Sequence, residues 1–301
     1  MMALSGTMSR TLAILVVLAV WLPLAAQSPS EQALRPDSEL QRSLEDTVKN
    51  LNLAQPLQDQ RLAMSLVDIT DSGRPRYAGL NDRHMMYAAS LPKIAVLVAG
   101  FERIRAGLME YTPAVREMFI RMTRFSSNTD ASRAIHKIGF DYIAQVLTSP
   151  KYLFYDLRQN GGLWLGKAYG GPNDYWRRDP LHNISHGATS FQVARFFLML
   201  EQGRLVSPKY SAEIKEILSQ PGIHHKFVKG LETSKPGCEI YRKSGTWCTW
   251  HSDAALVEHN GKKYIAVALM QDDRGGEIFP KLIVKVDDLI CGEEPTEAKV
   301  D

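Results

Sequence analysis

Two hydrophobic periods alternate along the chain and predict where helices and strands lie. Between residues 28 and 52, apolar positions recur three to six residues apart, as on one face of a helix; they are Leu34, Leu40, Leu44, Val48 and Leu51. Residues 61–69 and 76–80 predict two strands, because the polar residues 71–75 between them have turn composition. The chain is therefore predicted to begin with a helix and a hairpin.

A long apolar run follows this hairpin. It covers residues 94–101, directly after Ala89-Ser90-Leu91-Pro92-Lys93, and is apolar on nearly every side. Such a run predicts a helix through the middle of a core, here ending near Gly107. Helical periods then continue over residues 113–150.

Residues 151–187 lack the regular hydrophobic period of the preceding segments. Glycines and prolines mark an irregular, loop-rich segment; they are Gly161, Gly162, Gly166, Gly170, Gly171, Gly187, Pro172 and Pro180. The aromatic residues interspersed among them favour a packed loop over a disordered one. Long loops within a compact domain are usually functional when they are ordered.

The last third of the chain returns to helices and then changes its period to two. Residues 189–202 and 208–219 predict amphipathic helices, whereas 239–258 and 263–271 predict long strands joined by an Asn-Gly hairpin turn. Residues 278–290 predict a closing helix. The complete order predicts an α+β fold, in which an antiparallel sheet is flanked by N- and C-terminal helices and carries an inserted all-helical lobe.

The N-terminus has the pattern of a secretory signal peptide. Arg10 precedes an apolar run at residues 11–22, and small residues follow, so cleavage is expected near Ala26. The run is short for a membrane span, which makes an uncleaved anchor the weaker alternative. Residues 27–301 are then expected to form one secreted or periplasmic domain without a stable membrane anchor. Its α/β lobe would comprise about 30–107 and 188–291, and its helical lobe about 108–187.

Composition narrows the possible partners. The 301 residues carry a formal charge of +3, or +2 without the segment that contains Arg10. There is no basic stripe with interleaved aromatic residues, so nucleic acid is not an expected partner. The cysteines are Cys238, Cys248 and Cys291, an odd number whose spacing fits no zinc pattern and whose pairing stays open. We expect a monomer without metal or cofactor.

Candidate chemistry begins at Ser90 and Lys93. Three residues apart in a helix, their side chains would share one face. A serine hydroxyl needs an adjacent base to act as a nucleophile, and a lysine can be that base only if its surroundings lower its pKa. The motif Ser-x-x-Lys arises by chance about once in a chain of this size, so a helix-capping serine is the alternative interpretation.

Two later motifs favour the chemical interpretation. Ser126-Ser127-Asn128 falls in a turn between two predicted helices, and Lys243-Ser244-Gly245-Thr246 falls in a predicted strand. These motifs, in this order after Ser90 and Lys93, resemble those of the serine β-lactamase and penicillin-binding protein superfamily. Residues 122–130 are similar to the stretch around the Ser-Asp-Asn motif of class A β-lactamases. The resemblance covers residues 30–291 and implies a β-lactamase/D,D-peptidase-like fold.

The resemblance implies a role for each motif residue. Ser90 would be the acylated nucleophile and Lys93 its base, and Ser126 would relay the proton to the leaving nitrogen. Lys243 would steer the substrate carboxylate and lower the pKa values of Lys93 and Ser126. Asn128 would bind the substrate amide.

The same resemblance implies the remaining parts of the binding site. Ser244 would bind the substrate carboxylate, and Thr246 would also belong to the substrate-binding site. The backbone N–H groups of Ser90 and Thr246 would form the oxyanion hole. The substrate would be a small-molecule β-lactam or a cell-wall peptide.

Departures from the class A pattern affect the second half of the reaction. Ser127 replaces the usual aspartate, at a position that is mostly structural. No glutamate lies between Glu117 and Glu201, where class A enzymes carry the glutamate that activates the deacylating water. The nearest acids are Asp156, Asp174 and Asp179, and Asp179 reads best as a structural residue. The sequence therefore predicts that Ser90 is acylated, but it identifies no base for the deacylation step.

Several alternatives remain open from the sequence. Within the hydrolase class, β-lactam hydrolysis competes with D,D-peptidase action and with hydrolysis of another amide or ester, and a non-catalytic binder of cell-wall peptide is the rival from another class. Residues 251–253 contain triad residue types but alternate across a strand, so they do not predict a triad. His224 and His225 are expected to be solvated. Trp247 and Trp250 fit either the cleft or the sheet.

Overall fold

The computed structural model describes residues 34–171 and 174–292. The predicted signal peptide at residues 1–26 lies outside this part of the chain. Within it, no helix has both the length and the apolar character needed to cross a membrane.

The described residues contain eleven strands. They are β1 (Arg35–Pro36), β2 (Leu62–Asp68), β3 (Arg76–Leu80), β4 (Met86–Tyr87), β5 (Tyr155–Asp156), β6 (Gly161–Gly162), β7 (Trp164–Leu165), β8 (His186–Ala188), β9 (Glu239–Trp247), β10 (Trp250–His259) and β11 (Lys262–Gln271). The same residues contain ten α-helices. They are α1 (Ser38–Asn50), α2 (Ala54–Gln58), α3 (Lys93–Arg105), α4 (Pro113–Arg124), α5 (Asn128–Ile138), α6 (Phe140–Thr148), α7 (Ser190–Glu201), α8 (Pro208–Leu218), α9 (Phe227–Ser234) and α10 (Gly275–Cys291).

The main sheet has six strands in the order β1-β3-β2-β11-β10-β9. All neighbours are antiparallel except β1 and β3. Helices α1, α9 and α10 cover one face, and α7 packs on the other. The predicted α+β fold class is therefore confirmed. The expected limits of the two lobes stay a prediction.

Period two along β11 explains why both faces of the sheet are buried. Ile265, Val267 and Leu269 belong to the core that contains α3 and α7, whereas the alternate residues Ala266 and Ala268 belong to the core under α1, α9 and α10. Successive side chains of a strand point to opposite faces, so an apolar residue at nearly every position means a helical layer on each side.

Helix α3 runs through the larger core, as its apolar sequence predicts. Of its residues only Arg103 and Arg105 escape full burial, and Gly100 packs directly against α4. A Cβ atom on Gly100 would lie 2.6 Å from Cζ of Phe119, so the glycine sets the close approach of these two helices.

The structure corrects several predicted elements. The strand expected over 239–258 is two strands, β9 and β10, joined at Cys248, which has a positive φ of 49°. Neither residue of this turn, Cys248 or Thr249, is a typical hairpin residue, so the pattern gave no signal. Helix α9 and the short strands β5, β6 and β7 were also not predicted. Residues 151–171 are packed, as expected, since Tyr152 and Phe154 are buried.

A buried ion pair joins β9 to β10. Arg242 donates from Nε to Oδ1 of Asp253 over 2.7 Å and from Nη2 to Oδ2 over 2.8 Å. Asp253 also accepts from the backbone N–H of Phe227, and Arg242 donates to the carbonyl oxygens of Ile223 and His225. The pair therefore fixes the loop before α9 against the edge of the sheet.

Replacing one partner of this pair tests its importance for stability. Asp253→Ala leaves a buried guanidinium without its carboxylate and is expected to lower the free energy of unfolding by about 3–5 kcal/mol. Urea denaturation followed by circular dichroism measures the change. Glu117→Gln, which breaks the exposed pair of Glu117 with Arg121, is the control and should change stability by no more than about 0.5 kcal/mol. Equal effects of the two substitutions would contradict the assignment.

Candidate active site

Ser90 lies in a tight turn between β4 and α3. Ala89, directly before it, has a φ of 51°, a left-handed conformation that costs a non-glycine residue about 1–2 kcal/mol. The turn is held by the N–H of Leu91, which donates to the carbonyl oxygen of Ala88 over 3.0 Å. Helix α3 itself begins only at Lys93, one turn later than the sequence suggests. Ser90 thereby faces a cleft of about 570 Å³.

Gly245 on β9 packs against the backbone of this turn. A Cβ atom there would lie 2.3 Å from the carbonyl oxygen of Ala88 and 2.6 Å from the nitrogen of Ser90, so no other residue fits. The neighbouring Thr246 lines the same cleft as Ser90. The structure thus brings together the two residues whose N–H groups were predicted to form the oxyanion hole.

Lys93 is fully buried, and polar atoms of the α4–α5 turn surround its ammonium group. Nζ donates to the carbonyl oxygen of Ser126 over 2.7 Å and to Oδ1 of Asn128 over 2.8 Å, and it lies 3.3 Å from Oγ of Ser126. The ring of Tyr169 lies 4.4 Å away. Because burial disfavours the charged form, the pKa of Lys93 falls to about 7.

Lys243 approaches the same hydroxyl from β9. Its Nζ donates to Oγ of Ser126 over 3.0 Å. Burial lowers the pKa of Lys243 well below its ordinary value, and the positive charges of Lys93 and Arg242 act in the same direction. Repulsion between the two ammonium groups is mutual, so it also disfavours a proton on Lys93. Ser126 therefore lies between two buried lysines, in a left-handed backbone conformation with φ of 55°.

In the described part of the chain, no hydrogen bond joins the hydroxyl of Ser90 to Lys93. Catalytic hydrogen bonds are often long before substrate binds, so this geometry leaves Lys93 available as a base. Asn128, predicted to bind the substrate amide, lines the cleft with Ser90. Its side-chain oxygen holds the ammonium group of Lys93.

Ser127 has a structural position. Its hydroxyl accepts from the N–H of Asp130 at the start of α5 and donates to Oδ2 of Asp130 over 2.7 Å. Asp130 in turn accepts two hydrogen bonds from Arg121. The hydroxyl of Ser127 thus caps α5, and its backbone carbonyl oxygen lies 3.5 Å from Nζ of Lys93.

Two residues that the sequence analysis missed lie beside the Lys243 motif. Nε2 of His225 lies 3.2 Å from Oγ of Ser244, so the expectation that His225 is solvated is wrong. The ammonium of Lys226, which is buried, donates to the carbonyl oxygen of Gly245 over 2.6 Å and to Oγ1 of Thr246 over 2.8 Å. Burial lowers the pKa of Lys226 to about 8 and that of His225 to about 4. No motif signals either residue, since both come from an irregular loop.

The acids named as nearest alternatives to a catalytic glutamate are occupied elsewhere. Asp179 is buried and accepts from the hydroxyl of Tyr155 and from the N–H groups of Leu181 and His182. Asp156 pairs with Arg158, and Asp174 accepts from a backbone N–H of its own loop. Among the described residues that line the cleft, none is a carboxylate.

Residues 251–253 and the two tryptophans Trp247 and Trp250 now have defined positions. The hydroxyl of Ser252 donates to the carbonyl oxygen of Ala88 over 2.8 Å, and Asp253 pairs with Arg242, so residues 251–253 form no triad. Trp247 and Trp250 both line the cleft, together with Tyr87 and Tyr175.

A separate cluster lies under α10. Cys238, His259 and Asp287 bring potential metal-ligating atoms within 4.8 Å of one another, although their spacing in the sequence fits no zinc pattern. Asp287 already accepts from the hydroxyl of Tyr264 over 2.9 Å and contacts Nδ1 of His259 over 2.9 Å. The cluster is thus a hydrogen-bonded network that ties α10 to β10 and β11.

Comparison with solved structures identifies the class of fold. PBP-A superposes with a TM-score of 0.63 at 18% identity, over 85% of this chain and 97% of that one. A β-lactamase from Sphaerobacter thermophilus gives 0.63 at 14% identity, over 82% and 96%. The extended-spectrum β-lactamase TLA-3 gives 0.64 at 12% identity, over 85% and 99%. The chain therefore has the fold of the serine β-lactamases and penicillin-binding proteins.

A narrower match concerns the second half of the chain. Residues 165–290 match the model of the β-lactamase enzyme family. No curated protein sequence matches the chain. The predicted resemblance to the serine β-lactamase and penicillin-binding protein superfamily is confirmed.

Burial of Lys93 should reduce the stability of the fold at low pH. Its pKa of about 7 is below the ordinary value, so the penalty is complete below pH 7 and disappears as pH approaches about 10.5. Lys93→Met is therefore expected to raise the free energy of unfolding by up to about 4 kcal/mol at pH 6, and by less at pH 9. Urea denaturation at both pH values measures the difference.

The exposed Lys137 on α5 provides the matched control. Lys137→Met should leave stability within about 0.5 kcal/mol at both pH values. A Lys93→Met variant that is equally destabilised at pH 6 and pH 9 would contradict the proposed desolvation cost.

Proposed function

We propose that this protein is an exported serine hydrolase that is acylated at Ser90 by a β-lactam or a related amide. One observation carries the proposal: the hydroxyl of Ser126 lies within 3.3 Å of two buried lysine ammonium groups, next to the cleft that contains Ser90. Such an arrangement can accept a proton from one oxygen and deliver a proton to a leaving nitrogen.

Acylation would proceed with these parts. Neutral Lys93 takes the proton of the Ser90 hydroxyl while Oγ forms a bond to the substrate carbonyl carbon. The N–H groups of Ser90 and Thr246 stabilise the resulting oxyanion. The bond from carbon to nitrogen then breaks, and the nitrogen takes a proton from Ser126, which is reprotonated by Lys93 or Lys243. The product is an ester on Ser90. The amine leaves when the substrate is a peptide, and it stays attached to the ester when the substrate is a β-lactam, whose ring has opened.

The Lys243 motif supplies the recognition of a substrate carboxylate. Thr246 lines the cleft, and Ser244 is buried two residues before it on β9, with its hydroxyl 3.2 Å from Nε2 of His225. Lys226 contacts the hydroxyl of Thr246, and Lys243 contacts the carbonyl oxygen of Ser244. The ammonium groups of Lys243 and Lys226 are hydrogen-bonded to the protein and so stay outside the cleft. They nevertheless give the cleft a positive electrostatic potential. An anionic substrate would be drawn to the position next to Ser90.

Hydrolysis of the acyl-enzyme lacks an evident base. A positioned general base typically contributes about 10²–10⁴-fold to a proton-transfer step. No carboxylate lines the described part of the cleft, and the ring of Tyr169 covers Lys93 from the loop side. A long-lived acyl-enzyme is therefore expected, which favours D,D-peptidase-like or other amide or ester chemistry over efficient β-lactam turnover. A point mutant of PBP-A has been solved as an acyl-enzyme complex with penicillin G.

Binding without turnover is the alternative function. A pure binder of cell-wall peptide would gain nothing from the buried Lys93, whose desolvation costs stability. The proposal of export rests on the signal-peptide pattern of the N-terminus and would place the protein outside the cytoplasm, where cell-wall peptides and β-lactams are found.

Time-resolved intact mass spectrometry tests the acylation. Incubation with benzylpenicillin is expected to give a one-to-one adduct on Ser90, and deacylation should be slower than acylation by at least about 100-fold. Ser90→Ala should give no adduct, and Glu117→Gln, an exposed change outside the cleft, is the control that should keep the adduct. A transient adduct would instead indicate a β-lactamase with a base that the structure does not identify.

Absence of the adduct would separate the remaining possibilities. Labelling of Ser90 by a fluorophosphonate without a penicillin adduct would indicate another ester or amide substrate. No labelling by either reagent, together with unchanged binding of cell-wall peptide by Ser90→Ala, would favour the non-catalytic binder and overturn the proposal.

The rate of acylation should depend on the protonation of Lys93. Only the neutral amine can accept a proton, so the second-order rate constant is expected to rise about tenfold per pH unit below pH 7 and to level off above it. Stopped-flow measurements between pH 5.5 and pH 8.5 would give the profile. Lys93→Arg, which stays charged, should be slow and nearly independent of pH. An unchanged profile in Lys93→Arg would exclude Lys93 as the base.

A further inference from the structure

One wall of the cleft carries positive charge that the acylation chemistry does not use. Lys167 and Arg178 both line the cleft that contains Ser90. They come from the loop before β8, whereas the residues that were predicted to bind the substrate carboxylate come from β9. Lys167 and Arg178 therefore lie apart from the residues of β9 and could bind a different group of the substrate.

The loop holds both cations around one aromatic ring. Lys167 and Tyr175 face each other in an isolated antiparallel bridge. Nζ of Lys167 lies 4.7 Å from the centre of the Tyr175 ring, and Cζ of Arg178 lies 5.8 Å from the same centre. Arg178 is fixed further by a 3.0 Å hydrogen bond from its guanidinium to the carbonyl oxygen of Asn183. These contacts position the cations and leave their charge uncompensated.

No carboxylate neutralises this pair in the described part of the chain. Neighbouring arginines behave differently, since Arg177 lies 3.7 Å from Asp141 and Arg158 lies 3.1 Å from Asp156. His186 belongs to the same wall and is buried, which lowers its pKa to about 4. The positive charges of Lys167, Lys93 and Arg178 contribute to this lowering of the pKa. The carboxylate of the same loop, Asp174, accepts from the N–H of Gly171 and lies 3.9 Å from Nε2 of His136. The wall thus presents two cations that have no ion-pair partner among the described residues.

We propose that Lys167 and Arg178 form a second anion subsite, which binds a carboxylate on the acyl portion of the substrate. The inference rests on the proposed function, because it assumes that Ser90 is acylated in this cleft. When a β-lactam or peptide places its first carboxylate at Ser244, a second carboxylate has to lie on the acyl side of the bond that breaks. Tyr87, Tyr175 and Trp250 provide an aromatic lining for the group that carries it. The preferred substrates are then dianionic.

A matched pair of probes tests the subsite. Benzylpenicillin and carbenicillin differ by one carboxylate on the acyl side chain. Acylation of Ser90, followed by intact mass, is expected to have a second-order rate constant at least about fivefold higher for carbenicillin in 20 mM salt. The ratio should approach one in 500 mM salt, because partly exposed charges are screened.

Substitutions locate the effect. Arg178→Gln and Lys167→Gln are each expected to bring the carbenicillin-to-benzylpenicillin ratio close to one, and Arg178→Glu to bring it below one. Arg177→Gln is the matched control, because Arg177 lies next to Arg178 in sequence, faces Asp141 and does not line the cleft; its ratio should stay that of the unmodified protein. A ratio of one in the unmodified protein, or an equal ratio in all four variants, overturns the subsite while leaving acylation at Ser90 intact.

A second measurement keeps the subsite testable if neither penicillin acylates Ser90, the result that would overturn the proposed function. Tryptophan fluorescence, reported by Trp247 and Trp250 in the cleft, can follow binding of phenylmalonate and phenylacetate, which again differ by one carboxylate. Tighter binding of phenylmalonate that is lost in Arg178→Gln supports the subsite. Equal binding of both acids, or a preference that survives in Arg178→Gln and Lys167→Gln, overturns it.

Discussion

The hydroxyl of Ser126 lies between the buried ammonium groups of Lys93 and Lys243. Several features of the fold stabilise this arrangement. Lys93 arrives on the first turn of a helix that is buried on nearly all sides, and Lys243 arrives on the edge strand β9. Among the described residues, the hydrogen-bond partners of both ammonium groups are serine and asparagine oxygens, and none is a carboxylate. Two like charges in a dry environment are unfavourable, so at least one of them tends to lose its proton near neutral pH.

Backbone geometry holds the groups in place against this cost. Ala89 and Ser126 both adopt left-handed conformations next to the reacting groups, and Gly245 presses β9 against the turn of Ser90. The buried pair of Arg242 and Asp253 then anchors the edge strand and the loop that carries Lys226. Strain of this kind persists only where the surrounding structure determines the conformation more strongly than the local preference does. The apolar layers on both faces of the sheet provide that support.

The sequence predicted the parts of the site that lie in regular elements or short motifs, and it missed those that long-range packing brings in. Ser90, Lys93, Ser126 and Lys243 could be found because their spacing is local and their order is that of a known superfamily. Tyr169, His225 and Lys226 come from irregular loops, whose path depends on contacts with distant residues and leaves no period to detect. The hairpin turn at Cys248 is local in sequence but was also missed, because its residues are not those that usually favour a turn. Fold class, by contrast, follows from the order of hydrophobic periods and needs no exact boundaries.

The described residues of the loop that contains Lys167, Tyr175 and Arg178 include none of the groups proposed to activate Ser90, relay its proton or stabilise an oxyanion. The ring of Tyr169 in this loop contacts the ammonium of Lys93. Aromatic packing anchors the loop, with the rings of Trp164 and Trp176 stacked 5.9 Å apart. Inherited changes on its cleft-facing side can therefore alter which molecules are accepted without disturbing how they react. In evolutionary terms, the proposed preference for the acyl side of a substrate is encoded in a different stretch of this gene product from Ser90, Lys93 and Lys243, so the two can be selected largely independently.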